Sequence, residues 1–207
     1  MTEAIRIGIG GPVGSGKTQL IERLLPLIAE AGLRAAVITN DLVTFEDAER
    51  VRRSGLIDPD LVVGVETGAC PHTAIREDPS ANLACATRLE RQNGGLDVIL
   101  IESGGDNLAA TFTSDLVDYW LYVIDTAAGD DIPRKRGLGV IQADLLIVNK
   151  IDLAPYVGAD LARMRKDVAE VRPQRPSLFT DLRSGESARD VFAELRRSIL
   201  FDRPRNA

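Results

Sequence analysis

The stretch IRIGIGGPVGSGKTQLIERLLPLIAEAG, Ile5 to Gly32, decides the architecture. Its first six residues, IRIGIG, read as a buried strand. GPVGSGKT follows at once, Gly11 to Thr18, and meets the pattern G-x-x-x-x-G-K-[ST] at every fixed position. Glycines at these places let backbone N–H groups wrap a phosphate. Lys17 is placed to reach the β- and γ-phosphates and the Thr18 hydroxyl to bind Mg²⁺. Gly11, Pro12, Val13, Gly14, Ser15, Gly16, Lys17 and Thr18 are therefore the expected phosphate-binding residues. Leu20, Ile21, Leu24, Leu25 and Ile28 then recur at helical spacing, predicting a helix over 18–31 stopped by Gly32. Pro26 lies inside it and predicts a kink. The helix directs its positive end at the bound anion.

Outward from this unit, short β-branched runs alternate with helical patterns. Strands are expected at Ala35–Thr39, Leu61–Val65, Val98–Glu102, Leu121–Asp125, Leu145–Asn149 and Ser177–Thr180. Helices are expected at Ser80–Asn93, with Ser80 as N-cap, at Val157–Val171 and at Ser187–Ile199. Near-continuous apolar strands alternating with helices indicate an α/β fold: a P-loop NTPase with a mostly parallel sheet of about seven strands, helices on both faces. No internal repeat or linker interrupts residues 1–207, so a single domain is expected, its last residues frayed. The longest irregular stretch is the loop from Thr126 to Gly139.

Composition narrows the partners. A net charge of −6 argues against nucleic acid or an anionic membrane, both of which demand clustered positive charge. No apolar run approaches the ~20 residues of a membrane span. The N-terminus lacks a basic region followed by an apolar stretch. Two cysteines make no disulfide framework. These features predict a cytoplasmic, reduced protein.

Further motifs fall at strand ends, where ligands of open α/β sheets bind. Asn149-Lys150-Ile151-Asp152 resembles the guanine-reading motif of GTPases. A carboxylate at Asp152 can accept from the N1–H and exocyclic amine of guanine, a donor pair that adenine lacks. Glu102 opens ESGG, which resembles the D-x-x-G element of GTPases with Glu in place of Asp, and Gly105 can offer its N–H to a γ-phosphate. Asp41, ending the second strand, is the expected magnesium ligand beside Thr18, with Glu46 as its alternative. Lys17, Thr18, Asp41 and Glu102 form the expected catalytic set. No arginine or glutamine stands out as a positioner of water, so intrinsic hydrolysis is expected to be slow; Arg134 and Arg136 are candidates to act in trans. Cys70 and His72, the latter the only histidine, flank Pro71. On the tripeptide alone a structural reading is favoured, since Cys-x-His is short and common. Cys85 fits a buried helical stripe with Ala81 and Leu89.

Taken together, GPVGSGKT, TND, EDAE, CPHTAIRED, ESGGDN, IPRK and NKIDLAPYVGA resemble the UreG family of urease accessory GTPases, in order and spacing over nearly the whole chain. The resemblance implies a nickel-delivering protein that uses GTP and Mg²⁺, with Cys70 and His72 as nickel ligands; Zn²⁺ suits the same donors. It implies a homodimer with GTP and nickel, two chains together supplying S₂N₂, and partnership with other urease accessory proteins and apo-urease. Asp181 stands where the family pattern has Asn. The alternatives are a hydrogenase-type nickel-insertion GTPase of the same superfamily, a small-molecule kinase on the same scaffold, and a nucleotide-gated scaffold that tolerates loss of His72.

The guanine assignment has a direct test. Asp152→Asn should weaken GTP binding and shift preference toward xanthosine triphosphate, because the amide donor pairs with the xanthine carbonyl. Titration with GTP, ATP and XTP checks it; equal affinity of the unmutated protein for ATP and GTP contradicts the assignment.

Overall fold

The computed structural model of the chain describes residues 3–41, 46–66, 73–105 and 111–200, without the side chain of Asp41. Seven strands form one sheet: β1 (Ile5–Gly10), β2 (Ala35–Asp41), β3 (Val62–Glu66), β4 (Val98–Glu102), β5 (Tyr119–Asp125), β6 (Leu145–Asn149) and β7 (Ser177–Phe179). Their order is β3-β2-β4-β1-β5-β6-β7, and every pairing is parallel. All residues of β4, β5 and β6 are buried, which is why these strands read as unbroken apolar runs rather than as alternations.

Side chains alternate between two apolar layers. One face packs Ile7, Ile9, Val37 and Leu100 against α1 (Lys17–Glu30), α2 (Glu46–Arg53) and α7 (Gly185–Leu195). The other packs Ile38, Ile99, Ile101 and Val148 against α3 (Ser80–Asn93), α4 (Leu138–Gln142) and α6 (Leu161–Val171). A further short helix, α5, spans Ala154–Val157. The P-loop fold and its two-faced parallel sheet are thus as the sequence predicts. No described helix is long and apolar enough to cross a membrane.

Several expected boundaries shift, each for a local reason. Helix α1 runs unbroken through Pro26 and ends at Glu30, with Ala31 as its C-cap and Gly32 following at φ +75°. Ser80 is the first residue of α3, not its cap: Pro79 holds the cap position, and the Ser80 N–H donates to Asp78 Oδ1 at 3.2 Å. The helix expected over 157–171 is two. Gly158, at φ +69°, closes α5, and Asp160 restarts the chain as α6 by accepting from the Arg163 N–H at 3.0 Å. Likewise Ser184 caps the last helix, which starts at Gly185, two residues before its expected start, and the chain from Arg196 to Leu200 continues as a π turn. The stretch from Thr126 to Gly139 is not irregular. It holds 3₁₀ turns at Thr126–Ala128 and Pro133–Lys135 and the start of α4.

One buried cation ties the end of α6 to its neighbours. Arg172, 4% exposed, donates to the carbonyls of Ala143 and Pro176 at 2.9 and 3.0 Å and to Ser177 Oγ at 3.2 Å. These bonds tie the loop after α4 to the entry of β7, beyond which the base-end loop begins. Arg172→Met should therefore cost about 2–4 kcal/mol, because the carbonyls it satisfies are left without donors. Urea denaturation checks this; a midpoint unchanged from the parent contradicts it.

Candidate functional site

The carboxyl ends of β1, β2, β4 and β6 converge above α1. Between β1 and α1 the phosphate loop closes on itself: the Ser15 N–H donates to the Pro12 carbonyl at 3.2 Å, and Lys17 Nζ donates to the same carbonyl at 3.2 Å. Gly16 begins α1 at φ +107°, with no side chain capping the helix. A Cβ there would lie 2.4 Å from Asn149 Nδ2, so only glycine fits. The uncapped N–H groups of a 14-residue helix remain available to an anion.

A cavity of about 520 Å³ lies over this loop. It gathers Val13, Gly14, Gly16, Lys17, Thr18, Glu46, Glu102, Gly105 and Lys150 from the sequence-predicted residues, and adds Gln19 of α1 and Asp47 and Arg50 of α2. Gly105 abuts the loop: a Cβ on it would lie 2.1 Å from Val13 Cγ2.

At the cavity floor Thr18 Oγ1 lies between two carboxylates, 2.8 Å from Glu102 Oε1 and 3.1 Å from Asp47 Oδ1. Glu102 is 1% exposed, and its second oxygen has no partner among the described residues. Burial, then the negative charge of Asp47, raises its carboxyl to about 8; Lys17, the Thr18 hydroxyl and Arg50 act in the opposite sense. Two carboxylates, a hydroxyl and an orphaned oxygen facing a phosphate cradle suit a small hard cation, which takes one or two carboxylates plus phosphate oxygens. Sequence reasoning missed Asp47. In EDAER it reads as one more solvated acid, and only the turn of α2 brings it, together with Glu46, to the cavity. Asp41 ends β2, and its side chain lies outside the described residues. Arg50 was missed too. It lines the cavity, but Glu22 holds its guanidinium at 2.7 and 2.6 Å, and this pairing raises its pKa.

The NKID stretch adjoins the loop from the β6 side. Asn149 is fully buried; its Nδ2 donates to the Ser15 carbonyl at 2.9 Å, while its Oδ1 accepts from the Leu182 N–H at 3.1 Å and Thr180 Oγ1 at 3.3 Å. Lys150 takes φ +58°, a left-handed conformation that costs a side-chain-bearing residue about 1 kcal/mol. Thr126 Oγ1 holds its carbonyl at 2.6 Å. Asp152 Oδ2 meets Arg183 Nη1 at 3.2 Å, while Oδ1 is buried without a partner among the described residues. The Asp181 carboxylate accepts from the Arg183 N–H at 3.0 Å. Arg134 pairs within its own chain with Asp167 at 2.9 Å. Cys70 and His72 lie outside the described residues.

Residues 5–179 match the family model CobW/HypB/UreG, nucleotide-binding domain. The urease accessory protein UreG of Mycolicibacterium gilvum is 76% identical over 185 residues, 89% of this chain and 90% of that one. UreG 2 of a Bradyrhizobium species is 63% identical over 198 residues, 96% and 92% of the two chains. The chain belongs to the UreG family. Among solved structures, the hydrogenase maturation factor HypB of Archaeoglobus fulgidus superposes with a TM-score of 0.74 at 30% identity, covering 96% of this chain and 91% of that one. Against 76% for a UreG, that value sets aside the hydrogenase-type alternative. UreG chains share their nucleotide-binding domain with a family of P-loop GTPases, and their place is in urease maturation.

The raised carboxyl of Glu102 makes the stability of this UreG chain pH-dependent. Its folded pKa lies above its unfolded one, so between about 4.5 and about 8 the folded state holds a proton that the unfolded state has released. Stability is full below that window and is lost as pH rises through it. A tenfold difference in proton affinity between the two states corresponds to about 1.4 kcal/mol, so without nucleotide and magnesium the loss reaches several degrees in Tm. Glu102→Gln should flatten the decline. Calorimetric scans at intervals across the window check it, and parallel slopes for parent and variant contradict it.

Proposed function

We propose that the chain is a GTPase that carries nickel during urease maturation, with GTP as the signal that assembles and releases the carrier. The observation that carries the nucleotide half is the Thr18 hydroxyl set between Glu102 and Asp47 beneath the phosphate loop. In this reading the backbone of Gly11, Pro12, Val13, Gly14, Ser15 and Gly16 cradles the phosphates. Lys17 Nζ exchanges the Pro12 carbonyl for phosphate oxygens. Thr18, Glu102 and one acid, Asp47 or Asp41, hold Mg²⁺, which supplies charge neutralisation when bound. Gly105 donates its N–H to the γ-phosphate. Asp152, whose Oδ1 is a buried acceptor without a partner among the described residues, reads the guanine edge, while Asn149 and Lys150 set the loop that carries it.

Hydrolysis breaks the bond between the γ-phosphorus and the β,γ-bridging oxygen as water adds to the γ-phosphorus. The residues that speed it are those that orient water and neutralise charge. Arg50 is engaged by Glu22, and Arg134 by Asp167, so neither cation is free to act in the isolated chain. This supports slow intrinsic turnover that rises on assembly.

The nickel half rests on the donor inventory and the family. The sequence holds one histidine and two cysteines. Cys85 is buried in α3 with its thiol pushed up by burial, which leaves Cys70 and His72 as the soft pair. One chain offers one sulfur and one nitrogen, and a square-planar Ni²⁺ site takes four donors, so two chains on a two-fold axis complete it. Zn²⁺ can occupy the same donors. The carrier acts in the cytoplasm as a single nucleotide-binding domain, and hands its ion to other urease accessory proteins and apo-urease.

Metal analysis after gel filtration tests the reading. Cys70→Ala and His72→Ala should each abolish nickel retention in the presence of GTP and Mg²⁺ while leaving GTP binding intact. Cys85→Ala should retain the ion. Retention in the parent should weaken as pH falls, because protons compete with the metal for the imidazole nitrogen and the thiolate. A His72→Ala variant that keeps nickel places the site elsewhere.

A further inference from the structure

Two asparagines outside the nucleotide cavity join it to the turn Thr73–Glu77, which follows the metal motif in sequence. Asn40, in β2, is 1% exposed; Asn82, in α3, is fully buried. They sit within the apolar layer that contains Ile38, Ile75, Ala86 and Ile101. Asn40 Nδ2 donates to the backbone carbonyl of Glu102 at 2.9 Å. Asn82 Nδ2 donates both to Asn40 Oδ1 at 2.8 Å and to the carbonyl of Ala74 at 2.9 Å. Glu102 carries the carboxylate on Thr18. Ala74 belongs to the π turn Thr73–Glu77, which begins at the residue after His72. A second strand of contact runs beside the first, from the Thr113 N–H to the Ile75 carbonyl at 3.0 Å.

Packing alone does not call for these amides. Two complementary polar groups replaced by apolar ones of similar shape leave a fold nearly unchanged in stability. Asn82 Oδ1, moreover, is buried with no donor among the described residues, which costs free energy in the arrangement seen. An arrangement that supplies a donor regains that bond. A close-packed interior has low compressibility and transmits strain, so buried hydrogen bonds of ordinary length can pass on a displacement.

We infer that Asn40 and Asn82 are positioning residues that couple nucleotide state at Glu102 to the backbone of the turn Thr73–Glu77, and through it to the nickel affinity of Cys70 and His72. This rests on the nickel reading given above. Asn82 touches neither nucleotide nor metal. Its effect is therefore on the dependence of one affinity on the other, a coupling free energy, rather than on either affinity alone.

The test measures the Kd for Ni²⁺ by competition with a chromophoric chelator, once with GDP and Mg²⁺ and once with a non-hydrolysable GTP analogue and Mg²⁺. In the full-length parent the ratio of the two constants should be at least about tenfold. In Asn82→Leu it should fall to within about twofold of unity, with GDP affinity unchanged. Asn40→Leu should lose the ratio to the same degree, and the double variant should lose no more, as members of one relay do. Asn93→Ala, the same residue type on the same helix but bonded only within α3, should keep the parental ratio. Should Asn82→Leu fail to fold, Asn82→Ser, too short to span both acceptors, carries the same expectation. A parental ratio in a folded Asn82 variant overturns the relay alone. A ratio near unity in the parent overturns the nucleotide-gated nickel reading, and the relay with it.

Discussion

Asn149 places one carboxamide where three segments meet. Its nitrogen holds the Ser15 carbonyl of the phosphate loop, and its oxygen holds the Leu182 N–H and the Thr180 hydroxyl beyond β7. With no exposure to solvent, these bonds lack water as a competitor, and losing one leaves a buried group unsatisfied. Much else follows from them. Gly16 must be glycine because a Cβ would strike that same nitrogen. The glycine-rich loop after β1 and the chain beyond β7 are held to β6 by one side chain. A parallel sheet brings all the relevant strand ends to one edge, but this amide sets the register between them.

The same edge holds an electrostatic conflict that a ligand resolves. Asp47 and Glu102 face one hydroxyl, and Glu102 sits where water cannot reach. Burial and the neighbouring charge both oppose its ionisation, and Lys17 and Arg50 offset this only in part. In the function proposed above, a divalent ion with phosphate oxygens relieves that opposition. Arg50, held at the rim by Glu22, is a cation that the loaded site can recruit only by breaking a bidentate pair.

The strands were legible because a parallel sheet covered on both faces leaves little room for polar residues within them. Ile5–Gly10 and Val98–Glu102 match residue for residue. Helix ends were less so. The split at Gly158 depends on a left-handed residue and on Asp160 capping its own downstream turn, local geometry that an apolar period of 3.6 does not register. Asp47 was invisible beside Glu46 because an acid in a charged helix carries no signal until the helix is placed. Asn40 and Asn82 were invisible for a related reason. Their roles depend on a contact between β2 and α3 across 42 residues of chain. Asp181 caps its own turn through the Arg183 N–H, a local bond that the substitution pattern alone does not reveal.

Nucleotide state and the metal donors meet in one account only if the nucleotide decides whether two half-sites come together. The most direct measurement is the native mass of the assembly with nickel, taken once with GTP and Mg²⁺ and once with GDP and Mg²⁺. The account predicts a dimer of mass two chains plus one nickel ion in the first case and a metal-free monomer in the second. The same mass and metal content in both states would contradict it.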